Sequence, residues 1–252
     1  MTAAVSRARW MGALIIIIAA GLPGVFSILL ATPDIPGVPR LALVINPLIM
    51  LVVLTAVGAA LAPKLGFRSR LYDHALRRSP WPSLWSWLGP ARVGLGLGVI
   101  LALADWLTVP VWRGASAQPP DIVEGWTPHM LAAGLLYGGI TEEIMIRFGL
   151  MSLLTWLAAW LLRRSSAPLA AAAWTGNVAA ALFFGILHLP AVALTGAEIT
   201  SGIAARTILL NAIGGLTYGW LFMRQDLESA MVAHGATHLG FAVAALAVSP
   251  AP

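Results

Sequence analysis

The chain has no cysteine among its 252 residues. Disulfides, thiolate metal sites and a cysteine nucleophile are therefore excluded. Charge is also scarce. Asp, Glu, Lys and Arg make up 10% of the sequence, where a soluble domain carries roughly a quarter. There is no internal repeat, no low-complexity block and no linker long enough to divide the chain, so one integral unit is expected. What remains is apolar: 59% of residues are hydrophobic and the mean hydropathy is +0.86. Runs this apolar predict a polytopic helical membrane protein, because an unpaired backbone is not tolerated in lipid. The net charge of +5 fits orientation in a membrane, not nucleic acid binding, since the basic residues cluster beside the spans.

The pattern predicts an all-α transmembrane bundle of seven spans, at about 10–31, 41–61, 93–111, 128–150, 174–194, 202–222 and 228–248. Arg7 and Arg9 precede the first run in the manner of a signal peptide. That run is long enough to cross and has no clear small-x-small site before Pro33, so it reads as an uncleaved span. Pro23-Gly24 is expected to bend it, and Asn46-Pro47 to kink the second span. Residues 62–92 hold Lys64, Arg68, Arg70, Arg77, Arg78 and Arg92 against one acid, Asp73, with Trp81, Trp85 and Trp87 between them. Such a segment reads as cytoplasmic and lying on anionic lipid. The apolar stretch 151–162 is short and ends in Arg163-Arg164, so it reads as a helix at the inner surface. Were it to cross, an eighth span would carry those arginines outside. Residues 1–127 then form an N-terminal three-span region and 128–252 the core, in a multi-pass protein whose N-terminus is cytoplasmic.

The acids inside the spans carry the chemistry. Glu142, Glu143 and Arg147 lie in the fourth span, where ionisable groups persist when paired or functional. Glu143 and Arg147 are four residues apart and share a helical face. Glu142 is turned about 100° from Glu143 and is left to react. His188 lies in the fifth span, with Phe184 one turn before it. His234 and His238 share a face of the seventh. At about 1.5 Å per residue, Glu142 and His234 lie on the order of 10 Å from the inner face, His238 about 15 Å and His188 about 20 Å. Asp105, in the last third of the third span, reads as a hydrogen-bonded acid near the interface. No inverted hydropathy repeat relates the halves, which argues against a transporter.

Glu142-Glu143-x-x-x-Arg147, Phe184-x-x-x-His188 and His234-x-x-x-His238 together resemble the CPBP intramembrane proteases. That family includes the CAAX prenyl-protein endopeptidases and bacterial bacteriocin-processing and immunity proteins; its pattern is EExxxR, FxxxH and HxxxN. The resemblance covers about residues 128–245. It implies four core helices around a cavity open to the cytosol, and a membrane-associated peptide or protein substrate. It implies that Glu142 and His188 activate water while His234 and His238 stabilise the oxyanion, supported by Glu143, Arg147 and Phe184. His238 stands where the family carries Asn. A histidine can still donate to an oxyanion, but His188, His234 and His238 beside a glutamate are also a complete zinc ligand set. The metal-free, cofactor-free reading is preferred because no carboxylate is seen to stand behind a histidine. A non-catalytic immunity or scaffold protein is the rival reading, and His238 is the feature that favours it.

The basic bias makes residues 62–92 cytoplasmic and 112–127 external. With cysteines introduced at Ser83 or Ser116, an impermeant thiol reagent on intact cells labels Ser116→Cys only. Labelling of Ser83→Cys alone would invert the topology.

Overall fold

The computed structural model describes residues 7–32, 34–35, 37–113, 119–162 and 169–248. Among them the regular structure is helical and no strand forms. Six helical stretches are long and apolar enough to cross a membrane: Arg7–Ala31, Arg40–Leu65, Leu84–Trp112, Pro128–Leu162, Leu169–Ala193 and Leu227–Val248. A seventh helix, Ser201–Arg224, has 24 residues and is made less apolar by Arg206, Thr207, Asn211 and Thr217. These seven stretches overlap the seven predicted spans, and six of them have the length and apolarity of a membrane span.

In chain order the elements are α1 (Arg7–Ala31), α2 (Ile45–Leu61), the short α3 (Arg70–Ala75), α4 (Leu88–Trp112) and α5 (Pro128–Ala133). A π-helical segment, Gly134–Met151, follows and is called the motif helix below. Then come α6 (Ser152–Leu162), α7 (Leu169–Leu187), α8 (Leu189–Ala193), α9 (Ser201–Arg224) and α10 (Leu227–Val248).

Apolar side chains gain little by leaving lipid for one another, so close backbone approach must hold the bundle together. α10 lies along α4 in this way: Gly94 faces the Ala233 backbone, and Gly98 faces those of Thr237 and Gly240. The motif helix is held by α1, where the Thr141 hydroxyl donates to the Gly21 carbonyl at 2.7 Å. On its other side Gly58 of α2 meets Phe148, and Gly149 meets the Leu54 backbone.

Polar clamps close both ends. At one end Glu228, opening α10, accepts from Ser69 Oγ (2.8 Å), Arg70 N (2.7 Å) and Leu71 N (2.9 Å). Beside it Arg70 Nε reaches Asp226 at 2.7 Å, and Leu227 N–H donates to the Arg68 carbonyl. At the other end Asp105 on α4 takes two bonds from Arg206 on α9, at 2.6 and 2.5 Å, and one from Ile122 N at 2.9 Å. The Arg206 guanidinium lies 4.2 Å over the Trp112 ring.

Four expectations change. Residues 151–162 are no separate surface helix: they continue the motif helix into one stretch of 35 residues, because no breaker separates Met151 from Ser152. This also removes the eighth span; Arg163 and Arg164 lie outside the described residues. The fourth span is π-helical over 18 residues, where regular α-helix was expected, and its hydrogen bonds close wider turns. Asn46-Pro47, expected inside the span, falls in the first turn of α2, where a proline lacks no α-helical hydrogen bond of its own. Arg70 faces Asp226, not lipid.

Asp105 is 1% exposed, so removing one partner of its pair strands a buried charge, at a cost of about 3–5 kcal/mol. Asp105→Leu alone and Arg206→Met alone should each lower the melting temperature in detergent more than the double variant does. A loss in the double variant equal to the sum of the two single losses would show the pair to be uncoupled.

Candidate active site

Glu142 and Glu143 are delivered by the motif helix, His188 by the end of α7, and His234 and His238 by α10. α7 stops at Leu187 because Pro190 two residues beyond His188 brings no N–H and opens α8. His188 Nδ1 lies 2.7 Å from the Phe184 carbonyl. A carbonyl only accepts, so this nitrogen carries the proton and Nε2 is turned inward.

Nε2 of His188 is 3.8 Å from Glu142 Oε1, and Nε2 of His234 is 4.0 Å from Glu142 Oε2. These gaps are too long for direct hydrogen bonds and suit an intervening water. The other face of His234 is engaged: its Nδ1 lies 2.9 Å from Glu143 Oε1, and Glu143 Oε2 lies 3.2 Å from Arg147 Nε. Glu143 and Arg147 are fully buried, whereas the Glu142 side chain is 13% exposed and that of His188 30%. Glu143 is thus more than a partner for Arg147. It fixes which nitrogen of His234 bears hydrogen, as a carboxylate behind a histidine does.

Aromatic rings line the back of the site. Phe184 meets His188 edge-on at 4.6 Å and His234 at 5.9 Å. The Arg147 guanidinium lies 5.1 Å over Phe184 and 5.9 Å over Tyr218. Tyr218 of α9 stacks on His234 at 4.4 Å with planes 15° apart, and His238 stacks on His234 at 5.3 Å. His238 has no close contact with Glu142; it lies against Gly134 and Gly138. A methyl group placed on Gly138 would meet Nε2 of His238 at 2.8 Å and Nε2 of His234 at 3.2 Å, so both nitrogens converge on that glycine's face.

Among the described residues, no three His, Asp or Glu side chains gather as a metal-holding set. The sequence-level ground for a metal-free site nevertheless fails, because Glu143 does stand behind His234. Asp105 joins the clamp with Arg206 and Ile122 and not this site. Tyr218 was missed by sequence reasoning. Its one signal is rarity: the chain has three tyrosines, and this one and Tyr137 lie inside predicted spans.

Residues 124–240 match the family described as Type II CAAX prenyl endopeptidase Rce1-like. That match falls on the stretch that carries the three motifs, so the CPBP resemblance is borne out there, in a chain with six helical stretches long and apolar enough to cross a membrane. No curated protein and no solved structure matches the chain.

An aromatic pair contributes about 0.5–1.5 kcal/mol beyond area burial. Tyr218→Phe, which keeps the stack, should retain peptide turnover, and Tyr218→Leu should lose on the order of tenfold. Full activity in purified, folded Tyr218→Leu would show the stack to be irrelevant.

Proposed function

We propose that the protein hydrolyses a peptide bond of a membrane-associated peptide or protein, using water activated by Glu142. The observation that carries this is the placing of Glu142 between Nε2 of His188 and Nε2 of His234, while Glu143 is committed to Arg147 and His234. Glu142 takes a proton from a water held between it and His188. The resulting hydroxide adds to the carbonyl carbon, and the carbonyl electrons move to oxygen. N–H groups of His234 and His238, converging beside Gly138, receive that oxyanion; one such donor is typically worth 10²–10³ in rate. Collapse breaks the C–N bond, and the proton passes through Glu142 or His188 to the departing amine. With Nδ1 of His234 bonded to Glu143, donation from Nε2 requires the ring to carry both protons, and the Glu143 carboxylate would balance that charge. The N-terminus and the opening of the site are placed on the cytoplasmic side, as the basic bias argues, and the exposed tryptophans of residues 81–88 suit contact with lipid headgroups.

A zinc reading is favoured by one observation, the Glu143 carboxylate behind His234. Against it stands the lack of a three-ligand cluster among the described residues. No step here passes through a metal.

Purified protein with a farnesylated CAAX peptide tests the roles. Glu142→Gln should be folded and inactive. Glu143→Gln should retain part of the turnover, because Gln still offers an oxygen to Arg147 and His234. The reverse pattern would exchange the two glutamates, and activity in both would favour a scaffold. His238→Asn should stay active and His238→Ala lose about 10²–10³. One zinc per chain by elemental analysis, with an inactive Asn variant, would establish the metal reading instead.

A further inference from the structure

The basic segment that follows Arg40–Leu65 is only partly engaged. Arg70 is bound to Asp226, but Arg68 and Arg78 border a cavity of about 300 Å³. Asp73, Phe67, Tyr72 and Phe148 line it with them. The three aromatic residues are buried, at 7%, 3% and 1% exposure, and Tyr72 and Phe148 pack together at 5.8 Å between ring centres. The two arginines are exposed. The cavity therefore runs from a cationic mouth to an aromatic floor.

Asp73 is the acid among the lining residues. Its carboxylate lies 3.6 Å from Arg68 Nε, an ion pair too long for a good hydrogen bond. Among the described residues no carboxylate pairs with Arg78, and its charge is felt at the Tyr72 hydroxyl. Two arginines against one aspartate leave the cavity positive.

The backbone holds Arg78 in place at a cost. α3 ends in a Schellman motif, in which Arg77 N–H donates to the His74 carbonyl and Arg78 N–H to that of Asp73, both at 2.8 Å. The motif needs one left-handed residue, and glycine usually supplies it. Here Arg77 does, with φ 56°, and among the described residues it is the one non-glycine with positive φ. Such strain persists where packing or function over-determines it. Its effect is to bring Arg78 back beside Asp73.

A cationic mouth over an aromatic floor suits an anion carried on an apolar body. The location gives the source of that anion. Residues 67–78 lie between the stretches Arg40–Leu65 and Leu84–Trp112, both long and apolar enough to cross a membrane. Trp81 packs edge-on against His74 at 5.9 Å and Trp87 at 5.7 Å, and indoles collect at the membrane interface. We propose that this cavity binds the headgroup of one anionic phospholipid, whose phosphate oxygens accept from the Arg68 and Arg78 guanidinium groups while its apolar part lies against the aromatic floor. A lipid so held braces the segment whose residues 69–71 tie down α10 through Glu228. It also touches the motif helix at Phe148, next to Arg147. The site does not depend on the reaction proposed above.

Native mass spectrometry of the detergent-solubilised chain with dioleoyl phosphatidylglycerol tests it without substrate turnover. The wild type should hold one such lipid per chain in preference to dioleoyl phosphatidylcholine. Arg78→Gln should bind it on the order of tenfold more weakly. Arg92→Gln removes a charge from the same segment, lies outside the cavity, and should bind as the wild type does. Both arginines are exposed, so neither change disturbs the core. Unchanged binding in Arg78→Gln, or equal loss in Arg78→Gln and Arg92→Gln, overturns the proposal, the second by showing only diffuse attraction to charge. Displacement of the lipid by inorganic phosphate at equal concentration would make the ligand a soluble anion. Displacement by a farnesylated CAAX peptide, but not by its C-terminal amide, would make the cavity a seat for a peptide carboxylate. Either result overturns the lipid assignment.

Discussion

The pair of Glu143 with Arg147 is the constraint on which the site depends. Two opposite charges with no exposed surface sit in a segment that lipid would otherwise claim, and breaking such a pair costs several kcal/mol. The pair persists because each member has further work. Glu143 also binds His234 Nδ1, and Arg147 is covered by two aromatic faces. One carboxylate is consumed by structure and its neighbour is spared. Glu142 is the acid of the two that remains partly exposed, and it points at two imidazoles. A site with two adjacent glutamates thus gains two unlike groups, separated by environment and not by residue type.

The scaffold serves the same end. α10 carries both third-motif histidines and cannot drift, because its small residues lie directly against the α4 backbone. Its N-terminal end is tied to residues 69–71 by Glu228. α9, which brings Tyr218, is tied to α4 near the opposite end by Arg206 and Asp105. Strong polar bonds therefore sit at the ends, and close packing of small residues fills the middle. This division suits a bundle that has no hydrophobic drive between its helices.

Much of this was legible in the sequence, for identifiable reasons. The spans announce themselves by length and apolarity. The Glu143–Arg147 spacing brings two side chains together whether the turns are α or π. Glu142, His188 and His234 were picked out because polar groups inside apolar runs are conspicuous, and the structure brings these three within about 4 Å. What could not be read was long-range or geometric. The π-helical winding of Gly134–Met151 leaves no mark on hydrophobic periodicity. Asp226 and Glu228 meet residues 69–71 across some 156 to 159 positions of chain, so a basic segment seemed free to lie on lipid when part of it was already engaged. Tyr218 belongs to no motif, and only stacking on His234 reveals it. The same holds for Glu143 behind His234: the helix phase paired it with Arg147, and its second oxygen found a use that spacing alone does not disclose.

The central proposal is that Glu143 is committed as acceptor to His234 and Arg147, which leaves Glu142 to react. With five histidines in the chain, ¹⁵N spectra of histidine-labelled protein can resolve the ring nitrogens of His234, assigned by its substitution. An ionised Glu143 accepts only, so Nδ1 of His234 must carry hydrogen, and it should keep that hydrogen in Glu142→Gln. A bare Nδ1 on His234 in the wild type would require Glu143 to be the protonated partner, and the assignment of the two glutamates would fail.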